Sequence, residues 1–79
     1  MDKKAFSAIL GLLVPQIVAY IAENMKEDEL TATNQFYHSK VYTLLEDEST
    51  KMWHFSPRTL FMLFEEEKRF GSFTIPEEG

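Results

Sequence analysis

The sequence predicts an all-α protein, a single small domain spanning residues 1–79 with three or four helices, a kinked N-terminal helix and a short extended C-terminal tail. Apolar residues recur at helical spacing in three separate segments. Capping residues, prolines and glycines punctuate those segments. Aromatic residues make up 14% of the 79 residues, which supplies a core for a chain too short to form two domains.

The first predicted helix runs from about Lys3 to Asn24 and has no charged residue between positions 5 and 22. Pro15 lacks an N–H donor and clashes with the preceding turn, so we expect one bent helix or two short helices that meet there. The large apolar residues share one face of this helix: Phe6, Ile9, Leu10, Leu13, Ile17, Tyr20 and Ile21. The opposite face carries small residues, and four of them recur at every fourth position: Ser7, Gly11, Pro15 and Ala19.

An uncharged helix of this length is typical of burial on both sides, either inside a bundle or between two subunits. Its length also touches the lower limit for a membrane-spanning helix. Lys3 and Lys4 resemble the start of a secretory signal, but Asp2 precedes them and no small-x-small cleavage pattern follows. We therefore expect a soluble, cytoplasmic protein, with membrane anchoring by residues 5–22 as the alternative.

The second predicted helix begins near the acidic residues 27–29, whose charges suit a helix N-terminus, and runs to about Leu45. Residues 46–55 form a connector in which Asp47 or Ser49 caps a short helical turn through Met52 and Trp53. One face of the second helix is predicted to pack on the core: Leu30, Thr33, Tyr37, Val41, Leu44 and Leu45.

The last predicted helix has the clearest boundaries, with Ser56 as N-cap, Pro57 at the first helical position and Gly71 just after the end. Residues 72–75 read as a short extended piece that Pro76 terminates. Three residues of this helix are predicted to face the core: Leu60, Leu63 and Phe64.

Charge and motifs exclude several functions. The net charge of −5 argues against nucleic-acid binding, which needs a basic face. The chain has no cysteine, no glycine-rich phosphate loop and no Glu-x-x-His or His-x-x-x-His pattern, so we predict no catalytic residue, no cofactor and no metal. His38 and His54 are interpreted as packing or surface residues, and a site joining His54 to Asp47 or Glu48 stays open.

Two sets of residues are the candidates for protein contacts. A face of small residues lets two helices approach closely, so we predict a homodimer through the first helix. Aromatic residues near the connector either fill the core or anchor a partner protein. The predicted interface residues are Phe6, Ser7, Gly11, Val18, Ala19 and Ala22, and the candidate partner-binding residues are Trp53, Phe55, Phe61 and Met62.

The stretch WHFSPRTLFMLFEEEKRFGSFTIPEE, residues 53–78, resembles the C-terminal part of a family of small, functionally uncharacterised bacterial proteins. The resemblance covers about a third of the chain. It implies a bacterial origin and carries over no functional residue.

These observations favour a non-enzymatic protein-interaction or regulatory module that forms a homodimer and binds a protein partner of unknown identity. Two alternatives remain. One is a small membrane-associated protein anchored by residues 5–22. The other is an acidic inhibitor or antitoxin-like protein, since a small acidic surface can cover a basic active site.

Overall fold

The computed structural model describes residues 2–75. Within that range the chain forms four α-helices and no strand: α1 (Lys3–Met25), α2 (Glu29–Tyr37), α3 (Lys40–Leu45) and α4 (Pro57–Phe70). Two single turns of 3₁₀ helix, Glu48–Thr50 and Met52–His54, connect α3 to α4. The predicted all-α architecture with a long N-terminal helix is confirmed.

The first helix is continuous. The Asp2 carboxylate caps its start by accepting a hydrogen bond of 2.8 Å from the backbone N–H of Lys4, and Lys26 ends it in the left-handed conformation. Pro15 lies inside the helix without interrupting it, so of the two predicted alternatives the structure has the single helix and not the two short ones. Because Pro15 has no N–H, the carbonyl of Gly11 has no donor within the helix. Gly11 and Pro15 are both exposed, so this carbonyl lies on the solvent side.

The single helix predicted from residue 27 to Leu45 is wrong, because the chain breaks at Ser39 into α2 and α3. The Ser39 hydroxyl donates a hydrogen bond of 2.6 Å to the carbonyl oxygen of Phe36 and accepts one of 3.1 Å from the backbone N–H of Tyr42. The same side chain therefore ends one helix and begins the next, as serine does at an N-cap.

A carboxylate from α4 holds this break in place. One oxygen of Glu67 accepts a hydrogen bond of 3.0 Å from the backbone N–H of Lys40, and the other accepts one of 3.1 Å from that of Val41. Because the first N–H groups of a helix have no partner within the helix, this contact satisfies two donors that the break exposes.

The break changes which side of α2 faces the core. Leu30 is 71% exposed and Tyr37 is also exposed, although both were predicted to be buried. Ala32 and Phe36 are fully buried in their place. Val41 and Leu45 of α3 face the core as predicted, so the error is confined to the segment before Ser39.

The core lies where α1 meets α2 and α4, with α3 closing it against α4. The rings of Phe36 and Phe64 meet edge to face at its centre, with their centroids 5.9 Å apart. The largest fully buried side chains are Phe36, Phe64, Ile17, Ile21, Leu45, Met52, Leu60 and Val41.

The last helix agrees with its prediction at both ends. The Ser56 hydroxyl accepts a hydrogen bond of 3.1 Å from the backbone N–H of Thr59, and Gly71 ends the helix with a φ of 80°. Leu60, Leu63 and Phe64 are buried as predicted. Residues 72–75, which follow it, have no regular secondary structure, and the predicted stop at Pro76 lies outside the described residues.

Candidate interaction surface

The two halves of α1 differ in burial. Its four buried residues, Val14, Ile17, Val18 and Ile21, all lie in the C-terminal half, and residues 3–13 contribute none. A helix of 23 residues is about 34 Å long, which matches the 35 Å length of the whole domain. The N-terminal half therefore runs along the molecule with its outward side uncovered by the other helices.

One exposed apolar strip follows α1 along the side away from the core. Its members are separated by three and four residues in alternation, so they fall on one face of the helix. Leu12, the largest of them, is 68% exposed. We call this strip the outer seam, and it consists of Ala5, Ala8, Leu12, Pro15 and Ala19.

The residues predicted for a dimer interface divide between surface and core. Ser7, Gly11 and Ala19 are exposed, and Phe6 is partly buried on the edge of the helix. Val18 is only 4% exposed, and the partly buried Ala22 packs against the core. Both of these assignments are corrected, because the domain itself covers Val18 and part of Ala22. The prediction missed Ala5, Ala8 and Leu12, which the three-and-four spacing could have revealed.

A shallow groove of about 290 Å³ lies beside the outer seam, between α1 and the helices α2 and α3. Gly11 and Pro15 form one wall, and Tyr37 and Tyr42 lie on the other. The two tyrosine rings pack edge to face, 4.6 Å between centroids, and burial raises the pKa of the Tyr42 hydroxyl. Glu29 and Thr33 also line the groove, so it adds both polar and apolar surface beside the outer seam.

Two of the four candidate partner-binding residues serve the fold. The indole N–H of Trp53 donates a hydrogen bond of 3.0 Å to the carbonyl oxygen of Glu48, and its ring packs against the core. Phe61 is buried and stacks on Tyr20 with 5.8 Å between ring centroids. Of the two predicted alternatives, filling the core and anchoring a partner, these contacts support the first for Trp53 and Phe61.

The other two candidates, Phe55 and Met62, line a groove of about 560 Å³ along α4. Phe55 packs partly against the core, whereas Met62 is exposed. Phe70, which the sequence analysis missed, lines the same groove and is exposed. Glu65, Glu66 and Arg69 add both signs of charge to it. This second surface therefore combines apolar and charged side chains, whereas the residues of the outer seam are all apolar.

The histidines and acidic residues make local contacts. The carbonyl oxygen of Lys51 accepts a hydrogen bond from Nδ1 of His54, and the Asp47 carboxylate accepts bonds from the N–H and hydroxyl of Ser49. The carbonyl oxygen of Asn34 accepts a bond of 2.7 Å from Nδ1 of His38. Among residues 2–75, no three His, Asp or Glu side chains form a group that could hold a metal ion.

By length and composition alone, α1 could cross a membrane, since it has 23 residues and a mean hydropathy of 2.0 in its most apolar window.

Comparison of the chain with protein-family models, with curated proteins and with solved structures finds no match.

Proposed function

We propose that this chain is a non-enzymatic protein-interaction module that acts as a cytoplasmic homodimer, and that the two copies meet at the outer seam of α1. The observation that carries the proposal is the exposure of Leu12 within a continuous apolar strip. Water contact with such a strip costs free energy, roughly 25 cal/mol for each Å² of apolar surface. A partner that covers the strip recovers this energy.

A second copy of the chain is the simplest partner for this strip. In a two-fold dimer each copy presents the same patch to the other, so one apolar surface satisfies both. The short side chains of Ala5, Ala8 and Ala19 let two helix backbones approach closely, and Leu12 then fills the space between them. The adjoining groove beside Gly11 and Pro15 extends the contact towards α2.

Membrane attachment through residues 5–22 is the second candidate function, and the length and hydropathy of α1 support it. A full crossing would withdraw Ile17, Val18 and Ile21 from the core that they form with Phe36 and Phe64. The half of α1 without buried residues is too short to span, because a crossing helix needs about 20 residues. Soluble dimerisation keeps both the core and the continuous helix.

Light scattering in detergent-free buffer tests the proposal. A single chain has a mass of 9.2 kDa, and we expect a particle of twice this mass at micromolar concentration. Recovery of the chain only with detergent, or its sedimentation with lipid vesicles, would favour the membrane candidate. A well-folded monomer at all accessible concentrations would contradict the dimer.

A matched pair of variants locates the interface. Leu12 and Leu30 are exposed to nearly the same degree, 68% and 71%, and both lie on helices. Leu12→Glu places a charge in the outer seam and should shift the particle towards the monomer, whereas Leu30→Glu adds the same charge to α2 and should leave the dimer intact. Equal effects of the two substitutions would place the interface elsewhere.

A further inference from the structure

We infer that the two copies pair through the outer seam in antiparallel orientation, so that the N-terminal end of each α1 lies beside the C-terminal end of the other. This inference rests on the proposed homodimer and specifies its partner geometry. It draws on the spacing of the exposed residues and on the charges at the two ends of α1.

The spacing of the outer seam is that of a two-helix coiled coil. Together with Ala22 at its edge, the seam residues are separated by three, four, three, four and three positions, which is the alternation of the two core positions in a heptad. The series reads the same in both directions. Two antiparallel helices can therefore align with Ala8 opposite Ala19 and Leu12 opposite Pro15.

The charges favour this alignment over a parallel one. Residues 2–4 contain two lysines and one aspartate, whereas residues 23–29 contain four carboxylates and one lysine. Lys3, Lys4 and Glu23 are exposed. A parallel pair would place two acidic ends side by side, within the roughly 10 Å over which charges interact at moderate salt. An antiparallel pair places each basic end beside an acidic end, and the two helix dipoles then also oppose each other favourably.

Cysteine cross-linking distinguishes the two orientations cleanly, because the chain contains no native cysteine. Ala8→Cys and Ala19→Cys are prepared as two full-length chains with different affinity tags, mixed, and oxidised. Both positions are exposed, so neither substitution disturbs the core. Ser49→Cys, an exposed position in the connector, serves as the control for random collision.

The expected result is a disulfide that joins position 8 of one chain to position 19 of the other as the main product. Linkage of position 8 to itself should stay at the level of the Ser49 control. In the antiparallel pair the two copies of position 8 are separated by roughly 16 Å along the axis, far beyond the reach of a disulfide.

Two other results would overturn the inference, and they differ in what they say about the dimer. Linkage of 8 to 8 and of 19 to 19 in a particle of twice the chain mass would show a parallel dimer, which preserves the proposed function and removes the antiparallel geometry. A monomer with cross-linking no greater than the Ser49 control would contradict both the proposed homodimer and its antiparallel geometry.

Discussion

The two halves of α1 have similar composition but different surroundings. Residues 14–25 bury Val14, Ile17, Val18 and Ile21 in the core, whereas residues 3–13 bury no side chain and only pack the partly buried Leu10 and Leu13 against its edge. Yet no charged residue separates the halves, and both are apolar on more than one side. The hydropathy of a helix thus indicates how much surface must be covered, while the helices packed against it decide which part is covered. The uncovered part is the surface on which the proposed dimer depends.

The largest expected effect contrasts an isoleucine in each half. Ile17 is fully buried, so Ile17→Ala should lower the free energy of unfolding by about 2–5 kcal/mol through the cavity that it leaves. Ile9 is only partly buried, and Ile9→Ala should cost less than about 1 kcal/mol. Urea unfolding, with both changes made in the Leu12→Glu background, measures the difference without a contribution from dimerisation. Equal losses would show that the halves are buried alike.

The next effect concerns α3, which closes the core against α4. Glu67→Ala removes the acceptor for the backbone N–H groups of Lys40 and Val41, so α3 loses its external cap. Because Glu67 is only partly buried, we expect a loss of about 1–2 kcal/mol in urea unfolding. Glu67→Gln keeps a neutral oxygen acceptor and should recover part of this loss. An unchanged midpoint for both variants would mean that the contact does not stabilise the break at Ser39.

A smaller effect is expected at the start of α4. Ser56→Ala removes the acceptor for the N–H of Thr59 and should destabilise the domain by about 1 kcal/mol. Ser7→Ala, in the uncovered half of α1, is the control, because alanine is the better helix former and no cap is lost. Thermal unfolding compares the two, and a loss of stability at Ser7 as large as that at Ser56 would contradict the capping role.

The smallest effect is the dependence of stability on acid. Hydrogen bonds from Thr31 lower the pKa of Asp28, and hydrogen bonds from Ser49 lower the pKa of Asp47. A carboxyl group whose pKa is lower in the folded state stabilises the fold above its unfolded pKa, near 3.8, and loses that contribution as the pH falls through its folded value. Asp28→Asn and Asp47→Asn keep a capping side chain and should flatten the decline of the unfolding midpoint below about pH 4. A decline as steep as that of the unchanged chain would assign the acid sensitivity to other groups.

The sequence predicted the features whose causes are local. Ser56, Pro57 and Gly71 delimit α4 by contacts within a few residues, and the structure confirms them. The break between α2 and α3 was not predicted. Its serine cap at Ser39 is local, but the carboxylate that also caps α3 belongs to Glu67, 26 to 27 residues further along the chain.

The surface of α1 was predicted only in part for a related reason. Periodicity identified Ser7, Gly11 and Ala19 as a small face, and these residues are exposed. The predicted interface also included Val18, although the domain itself covers this side chain. The direction from which the neighbouring helices approach α1 depends on the break at Ser39 and on the connector. No pattern within α1 records that direction.

The thermal midpoint of the native chain as a function of its own concentration tests the central claim most directly. A dimer that buries the outer seam is stabilised by mass action, so the midpoint should rise with protein concentration, and Leu12→Glu should abolish the rise while Leu30→Glu preserves it. A midpoint that stays constant over a hundredfold range of concentration, with a scattering mass of one chain throughout, would contradict the claim that a second copy covers α1.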